Sequence, residues 1–114
     1  MPKEYRVYLE DILGCIGNIE EYSKGISYAE FKKDQMRIDA VIRNLEIIGE
    51  AVKKLPDGFR KDYPDVEWAK IAGLRDILIH EYFGVNLEII WDVVSNKIPD
   101  LKKSVKKMMQ DISR

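Results

Sequence analysis

The sequence predicts an all-α fold, a single antiparallel bundle of four or five helices. Three observations predict it. Apolar residues recur at spacings of three and four along most of the chain, and no segment shows the period-two alternation of a strand. The connections between the periodic segments are short, which favours antiparallel neighbours. The 114 residues make about one ordinary domain and too little for two, so residues 1–114 read as one unit. With 46% hydrophobic and 34% charged residues and only four Pro, the composition is that of a folded chain.

In the first segment Tyr5, Leu9, Ile12, Leu13, Ile16 and Ile19 form one apolar stripe. Gly25 fits a stop, and Ser27 followed by Glu30 fits a capping box that opens a new start. A second long helix reads from about Asp34 to Lys54, with Ile38, Val41, Ile42, Leu45, Ile48 and Val52 on its apolar side. Ile47 widens that stripe, which suits either a broad core face or a partner surface. The segment LPDGFRKDYPD, with two Pro, a Gly and three Asp, reads as the main loop. A third helix is expected from about Val66 to Phe83, with Trp68, Ile71, Leu74 and Leu78 in its stripe and Gly84 ending it. Asn86 is placed to cap the next helix, which carries Leu87, Ile90, Trp91 and Val94. Pro99 suits the first turn of a last helix, in which Leu101, Val105, Met108 and Ile112 repeat at four, three and four. Gly49 and Gly73 fall inside helical segments at a cost of roughly 1 kcal/mol each against Ala. Close approach of a neighbouring helix is the expected compensation.

Charge excludes several function classes. Nineteen Lys and Arg against twenty Asp and Glu leave a formal charge of -1, so a strongly basic, non-specific nucleic-acid coat is not expected. The charge is uneven, with three basic and six acidic side chains in residues 1–30 and six basic and two acidic in 97–114. The basic end suits the C-terminus of a helix dipole, and a weaker reading lets Lys102, Lys103, Lys106 and Lys107 attract a polyanion. Apolar runs such as Ile77-Leu78-Ile79 fall far short of the roughly 20 residues of a membrane span. The opening MPKEYRVYLED carries acids where a secretory signal needs an apolar core, so a soluble, cytoplasmic protein without membrane partners is expected. One cysteine, Cys15, and one histidine argue against a Cys/His zinc site within one chain, and no metal or other cofactor is expected.

There is no Gly-rich phosphate loop, no G-x-S-x-G elbow and no H-E-x-x-H. One stretch stands out: LRDILIHEYFGV, residues 74–85, where Arg75, His80 and Tyr82 form R-x-x-x-x-H-x-Y. On a helix of 3.6 residues per turn Arg75 and Tyr82 lie almost on one line, and His80 falls well around the cylinder from both. A site using all three therefore needs a bent last turn or groups from a second chain. The same residues also fit a plainer arrangement, in which Arg75 pairs with an acid, His80 is a satisfied interface histidine and Tyr82 packs. Asp76 either orients a groove residue or faces solvent, Glu81 reads as a surface or partner contact, and Trp68 and Trp91 as core.

With its flanks the stretch resembles the HEPN superfamily, in particular its HepT-like toxin family. The resemblance covers NLEIIGEAVKKLP at residues 44–56, YPDVEWAKIAGLRDILIHEYFGV at 63–85, the Ile90–Trp91 pair and IPDLKK after it. That is most of the chain, with no departure at the three key positions. The resemblance implies a metal-independent endoribonuclease, the toxin of a type VII HEPN/nucleotidyltransferase toxin–antitoxin system. It implies a helical homodimer with the active groove at its interface, and a nucleotidyltransferase antitoxin that transfers AMP to Tyr82. RNA carries its own nucleophile, the 2′-hydroxyl, which DNA lacks. His80 suits proton transfer as general base or acid, and Arg75 suits charge stabilisation at the scissile phosphate. One His does not serve as base and acid at once, and a dimer bringing two Arg75–His80 sets to one groove resolves this. Tyr82 would position the phosphate or stack on a base, and AMP there would block the groove by bulk and like charge. The alternative readings are a catalytically idle helical partner of a nucleotidyltransferase, and a plain dimeric scaffold.

Overall fold

The three-and-four spacing resolves into helices that share one core. A computed structural model describes residues 3–81 and 84–113. Helix α1 spans Lys3–Ser23, α2 Tyr28–Phe31, α3 Gln35–Lys54, α4 Asp57–Lys61 and α5 Trp68–His80. Then α6, Leu87–Asp92, runs through a wider π-helical turn, Val93–Lys97, into α7, Ile98–Ile112. No strand occurs among the described residues, and the fold is the all-α helical bundle that the periodicity predicts.

Each long helix buries the stripe read from its sequence. Leu9, Ile12, Ile16 and Ile19 of α1 are sealed from solvent, as are Val41 and Val52 of α3 and Val105 and Met108 of α7. Helix α3 lies between α1 and α5, and α1 in turn packs on α7. Ile47 packs against this core, so the width of the α3 stripe serves the bundle itself. The one buried polar side chain among the described residues, Asn44, is satisfied inside the α1–α3 contact. Its Nδ2 donates to the Ala40 carbonyl at 2.8 Å, and its Oδ1 accepts from Asn18 at 3.1 Å.

The helix ends follow local chemistry. Gly25 takes the left-handed conformation at φ 72°, a region that favours glycine, and turns the chain after α1. Ser27 and Glu30 form the expected capping box on α2. Asp34 caps α3 by accepting from the Arg37 amide, and Arg37 donates back to the Tyr22 carbonyl at 2.7 Å. Asn86 caps α6, accepting from the Glu88 and Ile89 amides. Pro99 has no N–H and its ring crowds the carbonyl four residues back, and the helix passes it by loosening into the π turn just upstream.

Two expectations need correction. The segment after Leu55 is not all loop, because α4 forms within it and buries Phe59 between Tyr5 and Tyr63, each ring centroid 5.3 Å away. The third helix is shorter than the stripe suggests, starting at Trp68 and ending at His80. Trp68 is buried there, its Nε1 donating to the Arg60 and Tyr63 carbonyls, while Trp91 packs at the core margin on Phe31 at 4.9 Å. Phe83 lies outside the described residues.

Candidate active site

Helix α5 carries Arg75, Asp76 and His80, and its neighbour α3 positions the first of them. Arg75 faces α3 and is only 26% exposed. Its Nη1 donates to Asp76 Oδ1 at 3.0 Å, and its Nη2 lies 3.7 Å from Glu50 Oε1. Its Nε–H is buried and has no hydrogen-bond partner among the described residues. The guanidinium is therefore held from two sides by carboxylates and keeps an unused donor.

Asp76 does not merely face solvent. Its Oδ1 also accepts from Lys53 Nζ of α3 at 2.6 Å, so it bridges a lysine and an arginine. The hydrogen bonds from Lys53 and Arg75 hold its carboxyl below the ordinary value of 3.8. Glu50 and Lys53 carry no mark in the sequence that distinguishes them from other surface charges. Only the α3–α5 packing shows that they meet Arg75 and its neighbour.

Gly49 explains why Arg75 sits so close to α3. A Cβ at Gly49 would lie 2.3 Å from Arg75 Cβ and 2.8 Å from its Cγ, closer than carbon atoms approach. The expected close helix approach is thus real at Gly49. It is absent at Gly73, where nothing lies within 4 Å of an added Cβ.

His80 is exposed and is the last residue of α5. Five residues separate it from Arg75, which turns it about 140° around the helix axis. The helix ends there, as Glu81 takes a non-helical conformation while its amide still donates to the Ile77 carbonyl at 2.8 Å. Tyr82 lies outside the described residues. The plainer arrangement is seen in one respect, in that Arg75 does pair with acids.

A second feature of α5 opens on a different side. A cleft of about 490 Å³ runs between α5 and the α6–α7 helix, walled by Ile48, Ile71, Leu74, Ile77, Ile89 and Val93. Ile77 and Ile89 on its lip are 51% and 56% exposed. Neither Arg75 nor His80 lines it. Among the described residues no group of His, Cys, Asp and Glu is placed to hold a metal ion, and no helix is long and apolar enough to cross a membrane. Burial pushes the Cys15 thiol up, with Asp11 adding to the shift, so this side chain acts as core filling.

A small helical bundle with a guanidinium and an exposed imidazole on one helix is the class of protein this defines. The family model described as "Ribonuclease HepT-like" matches residues 12–108, and the chain belongs to that ribonuclease family. It is similar to a Methanocaldococcus jannaschii protein at 49% identity over 98% of this chain and 93% of the relative. A Caldanaerobacter subterraneus protein is 52% identical over 95% of this chain and 96% of its own. Both bear the name "Putative RNase". A Thermococcus cleftensis protein named "Probable ribonuclease HepT" is 43% identical over 95% of this chain and 98% of its own. No solved structure matches the chain.

Proposed function

We propose that this ribonuclease is a metal-independent endoribonuclease toxin that works as a homodimer, and that a nucleotidyltransferase antitoxin silences it by transferring AMP to Tyr82. One observation carries the reading. The chain's only histidine stands exposed at the end of α5, on the same helix as a half-buried guanidinium.

The chemistry needs no group beyond these and the RNA. The 2′-oxygen attacks the adjacent phosphorus, its proton passing to one His80 imidazole. The bond from phosphorus to the 5′-oxygen breaks, and a second His80, protonated, gives its proton to that leaving oxygen. A 2′,3′-cyclic phosphate and a 5′-hydroxyl result, with no net proton consumed. Arg75 faces the negative charge that grows on the phosphoryl oxygens, where the Nη donors of a guanidinium fork are most effective. The angle of about 140° between Arg75 and His80 supports a second copy, since one helix does not aim both side chains at one phosphate. The apolar cleft beside α5, with Ile77 and Ile89 on its lip, offers that copy a surface. AMP on Tyr82 would add bulk and negative charge where the substrate phosphate must sit.

Purified protein is expected to cleave single-stranded RNA in EDTA and to leave DNA of the same sequence intact. Arg75→Ala and His80→Ala are each expected to lower cleavage by at least about a hundredfold, with helical circular dichroism unchanged. Full cleavage by either variant would defeat the assignment. Loss of cleavage in EDTA, restored by a divalent ion, would defeat metal independence. Coexpression with a nucleotidyltransferase, followed by peptide mass spectrometry, should find an adenylyl group on Tyr82. RNA binding and complex formation without cleavage would instead favour the idle-partner reading, which the nearly neutral charge of -1 suits.

A further inference from the structure

We propose that Gly49, Glu50 and Lys53 of α3 form a seat that sets the position and the charge of the Arg75 guanidinium. All three are positioning residues, since they touch Arg75 or Asp76 rather than the substrate. The inference rests on the reading of Arg75 as the phosphate-binding group and deepens it.

The steric half of the seat is Gly49. It is buried within α3, and its missing side chain is the space that Arg75 Cβ and Cγ occupy. The base of the arginine is thereby pressed onto the α3 backbone, which fixes where its side chain leaves α5. An arginine has several rotatable bonds, and anchoring the first removes the largest swing of the charged end. Glu50 then receives the far end, 3.7 Å from Nη2.

The electrostatic half is Lys53. Two carboxylates, Glu50 and Asp76, face Arg75, and both oppose the arrival of a phosphate. Lys53 binds the same Asp76 oxygen that Arg75 uses, so it shares that negative charge. The four side chains sum to zero, and the guanidinium remains attractive to an anion while being held by two acids. Without Lys53 the cluster carries one net negative charge. Residues 49 and 53 are four apart and lie on one face of α3, which is how a single helix supplies both halves.

The test measures kcat and KM for cleavage of a single-stranded RNA oligonucleotide by the full chain. It also follows the Nε–Hε resonance of Arg75 by NMR, assigned through its absence in Arg75→Lys. Gly49→Ala is expected to lower kcat by about ten- to a hundredfold, the usual consequence of displacing a positioned group by about 1 Å. KM should change much less, and the Nε–Hε resonance should move. Lys53→Met, at an exposed position, should raise KM about three- to tenfold at low salt with kcat nearly kept, and high salt should erase the difference. Gly14→Ala, where an added methyl meets nothing within 4 Å, is the control and should cleave like wild type.

Wild-type kinetics in Gly49→Ala, or lost activity with an unmoved Nε–Hε resonance, would overturn the seat. If Gly49→Ala does not fold, Lys53→Met decides alone, and an unchanged KM overturns the proposal. Arg75→Ala separates this from failure of the underlying reading. Wild-type cleavage by Arg75→Ala removes the ribonuclease site itself, whereas an inactive Arg75→Ala beside fully active Gly49→Ala and Lys53→Met removes only the seat.

Discussion

At the scale of single residues, the glycines divide by what faces them. Replacing a helical glycine by alanine gains roughly 1 kcal/mol of helix propensity when the new methyl group meets nothing. Gly14 in α1 is such a site, and Gly14→Ala is expected to stabilise the protein by about 0.5–1 kcal/mol in urea unfolding. Gly49→Ala should have the opposite sign. Its methyl group overlaps Arg75, and overpacking of about 1–3 kcal/mol outweighs the propensity gain. A Gly49→Ala protein more stable than wild type would show that α3 and α5 yield at no cost. The sequence marks both Gly49 and Gly73 as anomalies inside apolar periodicity, yet only Gly49 has a neighbour in its place. A small residue is visible in a sequence, whereas what lies opposite it belongs to the packing of two helices. The same holds for the candidate site: Arg75, His80 and Tyr82 are marked by the R-x-x-x-x-H-x-Y pattern, while the contacts of Glu50 and Lys53 become visible only once α3 lies against α5.

At the scale of elements, the faces of helices are legible because burial of one stripe imposes the 3.6-residue period. Their ends are legible where a cap has a dedicated side chain, as at Ser27, Asp34 and Asn86. The start of α5 has none. Its N-cap, Glu67, makes no capping bond, and its carboxylate instead holds Lys70 at 2.7 Å and Lys97 of the π turn at 3.2 Å. Glu67 thus ties α5 to the α6–α7 helix across the mouth of the cleft, and the two lysines, Lys70 first, hold its carboxyl below the ordinary value of 4.5. The sign of its pH dependence follows. A carboxyl with a depressed value in the folded state contributes stability that is present above its unfolded value and lost as pH falls through the folded one. Between about pH 5 and about pH 3 the wild type should lose more stability than Glu67→Gln, measured as the slope of Tm against pH. Parallel slopes would mean that the bridge is absent in solution. Tyr63 works in the other direction. Burial, and then its hydrogen bond to Asp111 at 2.7 Å, push its phenol up to about 12. The stability it contributes is full below its ordinary value of 10.0 and lost as pH rises through about 12, so Tyr63→Phe should flatten the alkaline limb of the same curve.

At the scale of the whole molecule, size and geometry argue for a pair of chains. The single chain exposes 7038 Å² and measures 44 × 29 × 21 Å, so its site lies on an open surface with one histidine. A specific interface needs at least about 600 Å² from each partner, roughly a twelfth of this surface. The cleft and the exposed Ile77 of α5 and Ile89 of α6 form an apolar patch of the right character. Pairing across it would cover isoleucines that now face water. Ile77→Glu tests this without touching the core, because half of that side chain is already exposed. A carboxylate there costs the monomer little, and at a dimer centre it would be buried without a partner. The variant is expected to keep its helical circular dichroism and Tm within a few degrees at low protein concentration. It should sediment as a monomer where the wild type is expected to sediment as a dimer, and it should lose RNA cleavage with the dimer. Dilution of the wild type should reproduce that loss, with specific activity falling as the dimer dissociates. A monomeric Ile77→Glu protein that cleaves at the wild-type rate would place acid and base within one chain, and the second His80 would then have no part in the reaction.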